Sequence, residues 1–326
     1  VATFTRLTPS SVDELLFAYD LGSFVALEGI PAGSVNSNYA LTTQRGRWFV
    51  RLYEEQGVDG ATREAALLTR LAGRGVPTPR PLERRDGGQI LVLEGKPGAV
   101  FPWRAGGMRC QAAVTPRDAE QVGAALAKVH AAGRAETPAA GRFRADDLRE
   151  RLARIEREAP EDLAVHAAPL RASLDAIEAR RATVSSSAPR GLVHGDLFRD
   201  NVLFGPGGDV TALLDFESAC EGALVFDLMV TVLAWCVGAS FDPDLARAMA
   251  RGYTSVRPLG ADERAAVHAE ASFAALRFTV TRITDYAMRP PEGRVMKDWR
   301  RFFDRLRWLE ATPEPALLAA MFGDPA

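Results

Sequence analysis

The sequence predicts an α+β chain of two lobes, a small β-rich N-terminal lobe over residues 1–103 and a larger, mostly helical C-terminal lobe over residues 104–326. Three observations carry this. Strand-like runs dominate the first hundred residues, Ala/Leu/Arg/Glu-rich stretches dominate the rest, and one non-helical island at 192–216 interrupts the helices. A β-rich lobe followed by an α-rich lobe with its own β island is the pattern of an α+β architecture with a cleft between lobes.

Ser10 and Ser11 with Glu14 are positioned to cap a short opening helix carrying Leu15, Leu16 and Tyr19. Strands are expected at 25–30, 39–43 and 47–53, with Gln44-Arg45-Gly46 as the hairpin turn between the last two. An amphipathic helix over 61–72 ends at Gly73, Gly75 and Pro77. Two further strands, 89–94 and 99–103, flank a turn near Lys96-Pro97-Gly98. Thr115-Pro116 is a cap with a first-turn proline and opens a helix that runs to Gly133. Helical stretches follow at 146–158, 169–183, 243–253, 261–288 and 295–310. No internal repeat or long linker appears.

Composition excludes several classes. An apolar fraction of 47% and a charged fraction of 25% describe a soluble globular protein, and a net charge of -2 offers no general attraction to nucleic acid or an anionic membrane. The most apolar stretch, 228–241, is 14 residues, too short for a bilayer, and reads as a buried helix. No basic-then-apolar leader opens the chain. Cys110, Cys220 and Cys236 form no C-x-x-C, which points to buried thiols in a reducing, cytoplasmic setting. Four histidines lack any zinc-binding spacing. The bases are nearly all arginine, with Lys96, Lys128 and Lys297 the only lysines.

The island carries the chemistry. Leu192-Val193-His194-Gly195-Asp196-Leu197-Phe198-Arg199-Asp200-Asn201 has the spacing H-x-D-x-x-x-x-N, and Leu213-Leu214-Asp215-Phe216-Glu217 follows. Kinase catalytic loops use the same D-x-x-x-x-N spacing followed by a D-F-G-type aspartate. A hydroxyl attacking a γ-phosphoryl group must lose a proton, and Asp196 is the carboxylate to accept it. A triphosphate needs magnesium held by hard oxygens, and Asn201 and Asp215 supply them. Apolar runs bound the motif and place each acid at a strand end, which separates it from an Asp-rich surface turn. His194 is expected to shape the loop through the backbone, and Asp227 to brace it from the start of the following helix.

No G-x-x-x-x-G-K-[ST] and no G-x-G-x-x-G occurs. The turn between the first two strands, with Gly29, Gly33, Ser34, Asn36 and Asn38, is a candidate phosphate cover, with an ordinary hairpin as its alternative. A kinase also needs a cation on the α/β-phosphates, tethered by a helix carboxylate. Glu64 is the candidate tether, and Arg51 stands where a lysine is expected. Arginine can bind phosphate bidentately, although an outward-facing arginine reads equally well. Residues 100–103, ending at Trp103, mark the expected lobe connection and an apolar seat for adenine.

On these residues the chain resembles the kinase-like phosphotransferases that include aminoglycoside phosphotransferases and choline kinases, with a bilobal protein-kinase-like fold. Within them it is most similar to the bacterial homoserine kinases. Phe4-Thr5, Tyr19-Asp20-Leu21-Gly22, Leu27-Glu28-Gly29-Ile30, Asn38-Tyr39 and the segment 75–79 fit that family. So do 191–204, Asp215-Phe216, Ala219-Cys220, Phe226-Asp227-Leu228, Trp235-Cys236, 253–258 and 275–278. The departures are His194-Gly195-Asp196 where His-Ala-Asp is expected, and Glu217-Ser218 where an aromatic pair is usual. The resemblance implies transfer of the ATP γ-phosphate to the L-homoserine hydroxyl, on the route to threonine. The acceptor's ammonium calls for an acid, with Asp200, Glu217 and Asp285 as candidates. Its carboxylate calls for a base, with Arg199, Arg277 and Arg282 as candidates. Arg282 and Asp285, three apart on one helix, also read as a mutual surface ion pair.

Two rivals stand beside this reading. Another small-molecule kinase, acting on an aminoglycoside, choline or a sugar, uses the same loop. A catalytically inactive nucleotide-binding protein is motivated by the absent lysine and by Glu217. A protein kinase is disfavoured, because only residues 218–226 separate Asp215-Phe216-Glu217 from Asp227 and leave no room for an activation loop.

Overall fold

A computed structural model of the chain describes residues 5–31, 35–141, 143–289 and 296–323. The chain separates into two compact units, one running up to Ala105 and the other beginning at Gly106.

The first unit opens with helix α1 (Pro9–Ala18) and continues with strands β1 (Phe24–Gly29), β2 (Ser37–Thr43) and β3 (Gly46–Leu52). Helix α2 (Val58–Gly73) and strands β4 (Leu91–Leu93) and β5 (Lys96–Pro102) complete it. The strands form one antiparallel sheet in the order β1-β2-β3-β5-β4. The period-2 alternation of β2 and β3 assigns the two faces. Tyr39, Leu41, Val50 and Leu52 join Leu15, Tyr19 and Leu21 in one apolar cluster. Asn38 and Arg51, cross-strand partners, belong to the opposite face. On α2 the buried positions Ala61, Glu64, Ala65, Leu68 and Leu71 recur at helical spacing. Each buried leucine contributes roughly 1.5–3 kcal/mol.

Three expectations shift here. The α1 cap is Thr8, whose hydroxyl accepts from the Ser11 N–H, with Pro9 in the first turn. Ser11 instead donates its hydroxyl to Glu94 at 2.6 Å. The β4–β5 turn is Glu94-Gly95, both at positive φ (52° and 75°), while Lys96 already pairs with Leu93. A two-residue turn of that hand matches the twist of the strands it joins. Lys96 is thus a strand residue, with its ammonium on the Glu54 carbonyl at 2.9 Å.

The second unit begins with α3 (Pro116–Ala132), α4 (Ala145–Glu158), the short α5 (Glu161–Ala164) and α6 (Ala167–Val184). The β island follows as β6 (Arg190–Val193), β7 (Val202–Phe204), β8 (Val210–Leu213) and β9 (Cys220–Ala223). Helices α7 (Leu224–Trp235), α8 (Pro243–Val256), α9 (Ala261–Arg282), α10 (Arg300–Ala311) and α11 (Glu314–Phe322) close it. Thr115 and Asp118 form a reciprocal capping box at α3. Helix α7 is buried along nearly all its length, as its uniformly apolar sequence requires. It runs a few residues earlier than the apolar stretch suggested. Helix α9 ends at Arg282, and one π-turn, Ile283–Ala287, replaces its expected last turn. Val295, where the helix before α11 was expected to start, lies outside the described residues. Of the three thiols only Cys236 is buried, against the expectation for all three.

Helices α3 and α8 pack backbone to backbone at two glycines. A Cβ on Gly123 would lie 2.1 Å from the Met249 carbonyl oxygen, and one on Gly252 would lie 1.9 Å from that of Glu120. Only glycine permits that approach.

Candidate functional site

The catalytic-loop candidates converge within the second unit. Strand β6 ends at Val193 and delivers Asp196 through a turn in which Gly195 adopts φ 76°. Hairpin β7–β8 pairs Val202 with Leu213, so the residues flanking it, Asn201 and Asp215, emerge at the same end. The Leu214 N–H donates to the Asn201 carbonyl at 2.9 Å and clamps that end. Asn201 also donates its Nδ2 to the Asp196 carbonyl at 2.8 Å. The amide is thereby oriented with its Oδ1 left for another partner. Asp215 sits in the left-handed region at φ 63°, ψ 67°. For a non-glycine residue this costs about 1–2 kcal/mol, and such strain gathers at functional positions.

Two side chains fix the loop from beneath. His194 accepts the Asp196 N–H at Nδ1 (3.3 Å) and donates Nε2–H to the Leu214 carbonyl (2.9 Å), which assigns the neutral Nε2 tautomer. It ties the turn that carries Asp196 to the end of the Asp215 strand. Asp227, fully buried in the first turns of α7, accepts the His194 N–H at 2.6 Å and the Gly195 N–H at 2.8 Å. His130 of α3 adds a third bond at 3.0 Å, and Tyr253 of α8 holds the other nitrogen of that imidazole at 2.7 Å. Burial pushes the Asp227 carboxyl up, but His130 and the backbone donors outweigh it and leave the pKa below its ordinary value. The bracing role expected for Asp227 is its observed role.

Asp196 has the opposite balance. Burial raises its pKa, Lys297 and Arg277 oppose this, and the neighbouring Asp215 adds to it. Arg277, buried on α9, donates to the Gly195 carbonyl at 2.5 Å. Lys297 is half-buried. Burial alone would lower its pKa, yet Asp196, Tyr286 and Asp200 outweigh that and raise it. Sequence reasoning missed Lys297. The one available signal was the scarcity of lysine, and nothing local linked it to a loop a hundred positions earlier.

A cavity of about 460 Å³ adjoins this loop, with Gly195, Glu217 and Arg277 among its walls. Arg144, Arg181 and Arg190 also line it. It collects one candidate acid and one candidate base for an acceptor. The others lie elsewhere. Arg199 donates to the Ala234 carbonyl and lines a different cavity. Asp200 is exposed. Arg282 is buried, donating to the Asp298 carbonyl at 2.9 Å, and Asp285 pairs with Arg151 at 2.6 Å. The expected Arg282–Asp285 surface pair is therefore absent, because the first residue turns into the aromatic packing of Phe198 and Phe302 and the second sits in the π-turn facing α4.

In the first unit, Arg51 does not face outward. Its Nη1 lies 3.8 Å from Glu64 Oε1 and its Nε donates to Asn38 Oδ1 at 3.4 Å. Gln56 holds the other Glu64 oxygen at 3.2 Å. Asn36 is buried, with its side-chain oxygen accepting the Glu54 N–H at 3.2 Å. Gly33 and Ser34 lie outside the described residues. Trp103 stacks under the Arg47 guanidinium, 3.9 Å from its ring centre.

Among the described residues no group of three His, Cys, Asp or Glu side chains is placed to hold a metal ion. Asn201 and Asp215, at one end of the β7–β8 hairpin, are two oxygen donors that could serve a divalent ion which keeps water and substrate oxygens as its other ligands. Among the described residues no helix is long and apolar enough to cross a membrane.

The phosphotransferase enzyme family model matches residues 26–259. A homoserine kinase of Methylocella silvestris is 35% identical over 95% of this chain and 96% of its own length. A homoserine kinase of Caulobacter vibrioides is 36% identical over 89% and 91%. An amicoumacin kinase solved in complex with AMP-PNP, Ca2+ and Ami superposes with a TM-score of 0.70 at 15% identity, covering 94% of each chain. The fold is thus the bilobal kinase-like one, and the chain belongs to the phosphotransferase enzyme family, with the homoserine kinases as relatives over most of its length.

Proposed function

We propose that this protein transfers the γ-phosphate of ATP to the hydroxyl of L-homoserine. The observation that carries the reading is the near full-length similarity to homoserine kinases, joined to an intact Asp196, Asn201 and Asp215 loop. Asp196 accepts the hydroxyl proton, and its raised pKa brings it nearer to the working pH of a general base. Asn201 and Asp215 would hold magnesium, which supplies charge neutralisation on the phosphates. Arg51, steadied by Glu64 and Asn38, binds phosphate oxygens of the nucleotide, with Asn36 shaping the same strand end.

The acceptor cavity favours an amino acid. Arg277 suits a carboxylate and Glu217 an ammonium, and both line the same cavity as Gly195. The several arginines there disfavour a polycationic aminoglycoside or the quaternary ammonium of choline. An ADP-release assay over L-homoserine, serine, threonine, choline and aminoglycosides tests this. L-homoserine is expected to give the highest kcat/KM; a higher value for any other acceptor replaces the assignment.

A further inference from the structure

A second cavity, of about 330 Å³, lies in the C-terminal unit and shares no lining residue with the first. Its walls are Gln111, Arg199, Arg301, Arg305 and the turn 237–239 that follows α7. Part of this arrangement is explained by α7 itself. Helix C-termini leave carbonyls without partners, and Arg199, Gln111 and Arg305 donate to those of Ala234, Trp235 and Val237. Each of the two guanidiniums gives one N–H to this capping, from Arg199 Nη1 and Arg305 Nη2.

Four observations go beyond capping. Arg305 is only 9% exposed, and its buried Nε has no hydrogen-bond partner among the described residues. Among the described residues Arg199 and Arg305 bond backbone carbonyls, and neither they nor Arg301 forms an ion pair with a carboxylate. The acids that act on Arg199 and Arg305, Asp200 and Asp304, are both exposed and act at longer range. Arg282, itself buried, adds positive charge from α9. Leaving a buried guanidinium N–H unsatisfied is costly, and crowded like charges add to the cost.

We infer that this cavity binds a small oxyanion, a phosphate or a carboxylate group, between Arg199, Arg301 and Arg305. A planar guanidinium presents paired donors to such a group, and three around one pocket supply the charge that the surrounding chain omits. The titration behaviour agrees with this. Burial, then the neighbouring arginines, hold Arg305 down to about 9, and burial holds Arg282 down to about 10. An oxyanion in the pocket opposes the shift of Arg305, which lines it. Arg199 directly precedes Asp200 and Asn201, so an occupant also steadies the turn that carries the candidate metal ligand.

Isothermal titration of the intact chain with inorganic phosphate, and separately with acetate, against chloride at matched ionic strength tests the site. Wild type is expected to bind at least one of the two saturably. Arg301→Gln changes an exposed side chain and should fold normally, and it is expected to raise the Kd at least tenfold through loss of a charge-assisted contact. Arg305→Met is expected to do the same. A response to phosphate alone identifies a phosphoryl ligand, and a response to acetate identifies a carboxylate. Absence of saturable binding beyond chloride overturns the proposal. So does binding that keeps the wild-type Kd in Arg301→Gln, since the anion then sits on other residues.

Discussion

The Asp196 carboxyl sits where burial disfavours its charge, so its folded pKa lies above the ordinary 3.8. A carboxyl raised in the folded state holds its proton there while the unfolded chain has lost it. Stability therefore falls as pH rises from 3.8 through the folded value. Asp196→Asn removes that cost. The variant should melt at a higher temperature than wild type at neutral pH, and the gain should vanish below pH 3.8, where both carry a neutral side chain. Thermal melts across pH check this; an equal gain at all pH values assigns the effect to packing instead. In the first unit, Arg51→Ala should weaken ATP binding about tenfold or more, from loss of a charge-assisted phosphate contact, and leave the fold intact. Unchanged ATP affinity by titration removes Arg51 from the site. At this scale Asp196, Asn201 and Asp215 are legible in the sequence because one loop and one hairpin fix them locally. Arg199 and Arg282 are not, because tertiary packing decides which way a side chain leaves its element.

At the scale of elements, α3, α7 and α8 hold the loop through His130, Asp227 and Tyr253. The Asp227 carboxyl has its pKa depressed, so its contribution is present above the unfolded value and lost as pH falls through the folded one. Asp227→Ala leaves two loop N–H groups and His130 without their acceptor. It should destabilise the protein by about 3–5 kcal/mol at neutral pH, with the gap to wild type narrowing in acid. Denaturant melts at several pH values measure it, and a loss below about 1 kcal/mol contradicts the brace. Helices α3 and α8 set a second limit. Gly252→Ala drives a Cβ into the Glu120 backbone and should cost at least 1–3 kcal/mol or prevent folding. A variant as stable as wild type would show that the helices separate freely. The elements themselves are largely legible from periodicity and caps, as at Thr115. The β4–β5 turn is misplaced because Pro97-Gly98 is a stronger local turn signal than Glu94-Gly95, and sheet pairing with β3 overrides it.

At the scale of the molecule, each unit holds a different group of the candidate site residues. The β-rich unit presents a buried Arg51–Glu64 pair beside Asn38, and the helical unit gathers the candidate base, the candidate metal ligands and an arginine-lined cavity. The composition changes near residue 104, and the chain's contacts divide between Ala105 and Gly106. The cavity is not legible in the sequence, because its walls come from segments scattered over residues 140–277 that only the fold brings together. Lys297 belongs to the same class, and its effect on Asp196 appears only in three dimensions. The central claim is that Asp196 takes the acceptor proton during phosphoryl transfer. The most direct measurement is the rate of ADP formation by Asp196→Asn at saturating ATP and L-homoserine, with the ATP Kd taken separately. The account predicts a loss of about 10²–10⁴-fold in rate with the ATP Kd within about twofold of wild type. A rate near wild type contradicts it.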